Sequence, residues 1–148
     1  PKITQVEVKS LVEEICQLHK KEMADNNIQT SLSVQPETLQ IQADKSQIEQ
    51  VLINLVKNAM QAFDRDEDKK IELKCYLNEK QQVVISVKDN GTGIEPEALE
   101  KIFIPFFTTK KNGSGIGLSL SRQIMRQHNG TLTVKSTLGV GTEFSLRF

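Results

Sequence analysis

Apolar and polar positions divide the chain into alternating strands and helices. Residues 3–8 alternate and predict a short strand. Leu11, Val12, Ile15 and Leu18 then recur at helical spacing over residues 10–23, with Ser10 ahead of Glu13 and Glu14 as the helix start and Asn26-Asn27 as its end. Ile28, Thr30, Leu32 and Val34 alternate with polar residues as a half-buried strand, which Pro36 breaks, and residues 39–42 predict a second short strand. A long helix follows over residues 44–63. Asp44 with Gln47 three positions on is a capping-box pattern, and Ile48, Val51, Leu52, Leu55, Val56, Ala59 and Ala62 form its core face. Strands over 70–77 and 82–89 come next. Residues 90–115, rich in Gly, Pro, Thr and Lys, read as a long loop with a short helix near 95–101. A helix over 115–128 stops at Asn129-Gly130, and residues 131–136 and 142–148 form a closing hairpin.

Composition narrows the class without naming a function. A length of 148 residues fits one domain, and 37% apolar with 26% charged residues excludes a disordered or collagen-like chain. Nineteen basic residues balance nineteen acidic ones, so the basic surplus of a general nucleic-acid binder is missing. No apolar run approaches the roughly 18 residues of a membrane helix. No leader opens the chain, and Pro1-Lys2-Ile3 reads as a start inside a longer protein. Cys16 and Cys75 stand far apart without a CxxC spacing, which suits two small hydrophobes in a reduced, cytoplasmic protein better than a zinc or disulfide site.

Three features carry candidate chemistry. On the long helix, Gln47, Gln50, Asn58 and Gln61 fall within about 40° of Asn54, a strip of carboxamides beside the apolar face. Such a strip reads either as a solvated face or, for Asn54 and Asn58 one turn apart, as oxygens for a hard cation and hydrogen bonds for phosphate. In the strand over 82–89, Val83, Ile85, Val87 and Asp89 share one face, so an acid ends an otherwise apolar row. Asp89 either caps the turn ahead of Gly91 or, as an acceptor-only group, awaits a ligand donor such as the exocyclic amine of adenine. Gly91 and Gly93 follow it and allow a close backbone approach. Finally, Gly113, Gly115 and Gly117 open the last long helix, where free N–H groups and the helix dipole favour an anion, with Lys110 and Lys111 just ahead. The GxGxG spacing matches neither a dinucleotide fingerprint nor a P-loop.

Taken in order, these segments resemble the boxes of bacterial sensor histidine kinases. Gln50-Val51-Leu52-Ile53-Asn54-Leu55-Val56-Lys57-Asn58-Ala59 resembles the N box, and Asp89-Asn90-Gly91-Thr92-Gly93-Ile94 the G1 box. Ile102-Phe103-Ile104-Pro105-Phe106-Phe107-Thr108-Thr109-Lys110 resembles the F box, and Gly113-Ser114-Gly115-Ile116-Gly117-Leu118 the G2 box. Gly130, Ser136 and Gly139-Val140-Gly141-Thr142-Glu143-Phe144 are similar to the family's closing hairpin. The resemblance spans essentially the whole chain and is strongest to the nitrogen-regulation-type subgroup. It implies one domain over residues 1–148, the catalytic ATP-binding domain of a two-component sensor kinase in the GHKL superfamily. The implied fold is the Bergerat two-layer α/β sandwich, a mixed sheet with three helices on one face and a lid running from about Glu95 to Gly113.

The same resemblance implies ATP and Mg²⁺ as cofactors. Asn58 would bind the metal and Asn54 would line the phosphate region. Asp89 would take the adenine amine, with Gly91, Gly93 and Ile94 around the base. Gln61, Thr109, Lys110, Gly113, Ser114, Gly115, Gly117 and Leu118 complete the implied nucleotide contacts. Asn54, Asn58 and Lys110 are the implied catalytic groups, and Phe103, Phe106 and Phe107 would anchor the lid. Implied partners are a histidine-bearing dimerisation hairpin of the same protein, a response regulator and a second copy of the parent, with no nucleic acid and no membrane contact by this domain.

Two departures bear on the activity. Superfamily ATPases such as gyrase place a glutamate, the base for water, one turn before the metal-binding asparagine, and here that position is Asn54. An amide takes no proton, which favours transfer to a better nucleophile over hydrolysis. Gln61 stands where many members carry a basic residue, leaving Lys57 or Arg65 to substitute. Neither His19 nor His128 sits in the family's phosphoacceptor pattern, so both are expected to be structural. Two alternatives remain open, an anti-sigma-type serine kinase on the same fold and a nucleotide-binding scaffold without transfer activity.

Overall fold

The structure is a computed structural model and describes residues 1–107 and 117–148. The chain runs β1 (Thr4–Glu7), α1 (Val8–Asp25), β2 (Ile28–Val34), β3 (Gln40–Ala43), α2 (Lys45–Met60), β4 (Lys69–Leu77), β5 (Val83–Asp89), α3 (Pro96–Leu99), α4 (Gly117–Gln127), β6 (Thr131–Thr137) and β7 (Gly141–Arg147). Five strands form a mixed sheet in the order β2-β4-β5-β7-β6, in which only β2 and β4 run parallel. β1 and β3 pair separately as a small antiparallel ladder. Ile71, Leu73 and Cys75 of β4, Ile85 and Val87 of β5, and Phe144 and Leu146 of β7 share one face, which meets α1, α2 and α4 to form the core. The opposite face carries charged rungs, Glu72 beside Lys88, Lys88 beside Glu143, and Glu143 beside Lys135. Such opposite-charge neighbours help fix the register of a sheet.

Two expectations at α1 are corrected. The helix starts at Val8, with Glu7 as N-cap, so Ser10 lies inside it. Leu18 is 63% exposed, and His19 takes the buried position at 3%. Val8, Leu11, Val12, Ile15, His19 and Met23 face inward, an arc whose centre leaves Leu18 at the rim. The His19 ring is held by its own helix, with Nδ1 2.9 Å from the carbonyl of Ile15. α2 ends at Met60 with Gln61 as C-cap, three residues before the predicted end, so Ala62 belongs to the following turn. Cys75 is buried, which pushes its thiol up to about 12, and desolvation also raises half-buried Cys16. Both are therefore neutral at pH 7 and behave as small hydrophobes.

Asp44 is the N-cap of α2, and its carboxylate accepts the N–H of Gln47. It also accepts the N–H of Lys2 at 2.8 Å and the Ser46 hydroxyl at 3.0 Å. These bonds, that of Lys2 foremost, hold its pKa below the ordinary carboxylate value. A depressed pKa contributes stability that is present above the unfolded value, about 3.9, and is lost as pH falls through the folded one. Thermal melts should therefore separate the parent from Asp44→Asn at neutral pH, with the gap closing below about pH 4. A gap independent of pH would contradict this account.

Candidate nucleotide site

The candidate residues converge through a chain of backbone contacts. Asp89 ends β5 between Ile71 of β4 and Thr142 of β7, in register with the apolar row, and is only 5% exposed. Its Oδ1 accepts the N–H of Gly91 at 2.9 Å. The acid thus does cap the turn, from a buried position at the edge of the core. Gly91 lies against the turn that follows α2: a Cβ there would sit 2.3 Å from the carbonyl oxygen of Ala62, which also accepts the N–H of Thr92 at 2.9 Å. Gly93 adopts φ +77°, and a Cβ on it would meet the carbonyl of Thr137 at 2.4 Å. These two glycines therefore admit the chain's own backbone, the turn after α2 on one side and the β6–β7 hairpin on the other. The sequence expectation had assigned that space to a ligand. Ile94 is half-buried, its N–H donating to Ser136 Oγ at 2.8 Å, and the N–H of Gly139 donates to the Thr92 carbonyl at 2.7 Å.

On α2, Asn54 and Asn58 are both half-buried, one turn apart. Asn54 Nδ2 donates to Ser121 Oγ of α4 at 3.2 Å. Gly117, the first residue of α4, stands so close to Asn54 that a Cβ would fall 2.2 Å from its Oδ1. Asn58 lies one turn nearer the end of α2, and Ala62 beyond it touches Gly91. The two amides therefore run from the first turn of α4 towards the turn that carries Asp89. Leu118 packs against the core. Gln61 is exposed at the C-cap, and Lys57 is exposed in the last turn of α2.

Arg65 does not serve as the substitute cation. Its Nε donates to the carbonyl of Glu67, and its Nη2 to those of Asp68 and Asn90, at 2.8–2.9 Å. The guanidinium is committed to tying the 64–68 loop to the residue after Asp89. The lid anchors are also corrected. Phe106 is 78% exposed with φ +68° and, among the described residues, is not packed against the core, whereas Phe107 is. Phe103 is half-buried beneath the Arg122 guanidinium of α4, 4.2 Å from its ring centroid, a cation–π contact. Thr109, Lys110, Gly113, Ser114 and Gly115 lie outside the described residues.

Among the described residues no group of three or more His, Cys, Asp or Glu could hold a metal ion. The donors that Asn54 and Asn58 offer are amide oxygens, which suit a hard cation that keeps its waters and takes its remaining ligands from substrate phosphates. That chemistry fits Mg²⁺ at Asn58. Ser121 and Arg122 were missed in the sequence. Ser121 was open to detection, as a polar residue on a face of α4 shared with Ile124 and Met125, all three buried.

Gly117→Ala tests the α2–α4 contact directly. The added methyl must displace the Asn54 amide, a movable side chain, so the fold should survive. Loss of the Asn54–Ser121 bond is expected to weaken ATP–Mg²⁺ binding about tenfold, read by calorimetry. Unchanged affinity would remove Asn54 from the site.

Comparison with known proteins agrees with this geometry. The model of the histidine kinase-, DNA gyrase B- and HSP90-like ATPase family matches residues 43–148. Sensor histidine kinase ZraS of Salmonella typhimurium is 36% identical over 141 residues, covering 95% of this chain and 30% of ZraS. The catalytic domain of histidine kinase ThkA superposes with a TM-score of 0.87 at 34% identity, covering all of this chain and 95% of that one. ThkA in complex with the response regulator TrrA matches at 31% identity and a TM-score of 0.82, over 99% of this chain and 41% of that one. This chain thus spans about a third of the length of full sensor kinases such as ZraS.

Proposed function

We propose a phosphoryl-transfer role for this chain, which belongs to the histidine kinase-, DNA gyrase B- and HSP90-like ATPase family and, within it, to the catalytic ATP-binding domains of sensor histidine kinases. The chain binds ATP with Mg²⁺ and donates the γ-phosphoryl group to a histidine on a dimerisation hairpin of the parent protein. The observation that carries this reading is Asn54, an amide held by Ser121 and Gly117 where a hydrolytic relative carries its base. With no carboxylate there to take a proton from water, the site positions ATP for a stronger nucleophile. Asp89 accepts the adenine amine, and the half-buried turn from Gly91 to Ile94 walls the base. Asn54 orients the phosphates, and Asn58 supplies an oxygen for the metal. The chemistry that Mg²⁺ supplies when bound is charge screening on the phosphates. The γ-phosphorus–oxygen bond to ADP breaks, a phosphorus–nitrogen bond to imidazole forms, and the imidazole proton leaves to solvent.

The acceptor lies outside this chain. The sequence holds two histidines. His19 is buried, and both ring nitrogens of His128 face backbone groups. A hairpin from the parent protein, itself a homodimer, therefore completes the reaction, and a response regulator receives the phosphoryl group next, as the ThkA–TrrA pairing supports. Among the described residues no helix is long and apolar enough to cross a membrane. Incubating the chain with ATP–Mg²⁺ and a matching hairpin fragment is expected to give an acid-labile, alkali-stable phosphohistidine. An acid-stable phosphoserine on a partner would replace this reading with the serine-kinase one, and nucleotide binding without any transfer would leave a scaffold.

A further inference from the structure

The α2–α4 pair carries a second tie, at the end remote from Asn54. His128 follows the last turn of α4, and its Nδ1 lies 2.8 Å from the carbonyl of Ile124. A carbonyl only accepts, so Nδ1 carries the proton and Nε2 is the acceptor of the ring. Nε2 takes the backbone N–H of Asp44 at 3.0 Å. Asp44 is the N-cap of α2, and its carboxylate in turn takes the N–H of Gln47 in α2 and the N–H of Lys2 ahead of β1. The end of α4 does not need this ring for its own closure. The N–H groups of His128, Asn129 and Gly130 already return to carbonyls of Ile124, Arg126 and Met125, with Asn129 at φ +57°. What the imidazole adds is a link between helices.

We propose that His128 is a positioning residue for the nucleotide site, holding the far end of α4 on the N-cap of α2 so that Gly117 and Ser121 meet Asn54 at a fixed angle. The inference rests on the reading of that site as a nucleotide site. α4 spans 11 residues, or about 16 Å. Ile124 and Met125 bury its second half in the core, but apolar contacts are non-directional and allow small shifts, whereas functional side chains tolerate only about 0.5 Å or 10–20° of displacement. A directional hydrogen bond at the far end removes that freedom. The tie also joins the chain ahead of β1 to α4, because Asp44 bonds to both Lys2 and His128.

The test compares H128F, which fills the site without an acceptor, with H128Q, whose Oε1 can replace Nε2. In nitrogen-15 spectra the parent ring is expected to show the Nδ1-protonated neutral tautomer. H128F should shift the Asn54 side-chain amide resonances without nucleotide and weaken ATP–Mg²⁺ binding about fivefold to tenfold. H128Q should restore both to near the parent. Unmoved Asn54 resonances in H128F, or a loss of affinity that H128Q does not rescue, would overturn the proposal. If the parent itself fails to bind ATP, the site reading fails, and the Asn54 resonances alone then decide the positioning role, a shift supporting it and its absence sinking it. Should H128F not fold, H128N, which keeps a donor for Ile124 and lacks the Nε2 acceptor, takes its place.

Discussion

Asp89→Asn is expected to leave the domain folded and to weaken ATP binding by about 100-fold. The substitution is isosteric, and its Oδ1 can still accept the N–H of Gly91, so the turn into Gly91 and Gly93 keeps its shape. What changes is the other half of the group. An ionised carboxylate only accepts, whereas an amide presents a donor. Opposite the adenine amine, two donors then meet in a site 5% exposed, where water cannot relieve them. The same amide can donate to a 6-oxo purine, so the variant should bind GTP or ITP better relative to ATP than the parent does. Calorimetry with the three nucleotides, together with a melt to establish folding, checks this. Equal affinity of parent and variant for ATP would take Asp89 out of the base pocket.

Gly91→Ala should act first on the fold. The new Cβ would stand 2.3 Å from the carbonyl oxygen and 2.8 Å from the Cβ of Ala62. That carbonyl cannot swing aside, since it also holds the N–H of Thr92. Forced separation should cost about 2–4 kcal/mol, with a fall in Tm on the order of 10 °C. Nucleotide binding should fall as well, because the turn draws Asp89 with it. Gly139→Ala is the matched control. It has φ +80° but nothing within 4 Å of the added carbon, so only the backbone term of about 1–2 kcal/mol remains. Denaturant or thermal melts of the two variants should rank them in that order, and a reversed ranking would contradict the packing described at Gly91.

Much of the fold was legible because period and punctuation agree. The capping pattern of Asp44 and Gln47, the alternation in β5 and the Asn129-Gly130 stop each place an element within a few residues. The amide pair and the acid at the end of the apolar row were legible too, since polar residues at such positions are costly unless used. The unread parts depend on partners distant in sequence. Nothing local pairs Ser121 with Asn54 across 67 residues, or assigns His128 to the N–H of Asp44 across 84. The same is true of Arg65, whose charge suggested a phosphate contact but whose donors go to three backbone carbonyls. Gly91 is legible as a point of close approach, but a missing side chain does not say which neighbour needs the room, and in the fold Ala62 takes it.

The hairpin of β6 and β7 gives the site an order of assembly. Asp89 pairs with Thr142, Ile94 leans on Ser136, Thr92 receives the N–H of Gly139, and a Cβ on Gly141 would collide with the carbonyl of Asp89. Every one of these contacts reaches across more than forty residues to the last strands. A ribosome-bound chain that has emerged only as far as α4 therefore holds Asn54, Asn58 and Asp89 but not the wall that shapes the base pocket. Ligand occupancy is therefore expected only once β7 has zipped onto β5, so nucleotide capture would report that this hairpin has closed over the turn.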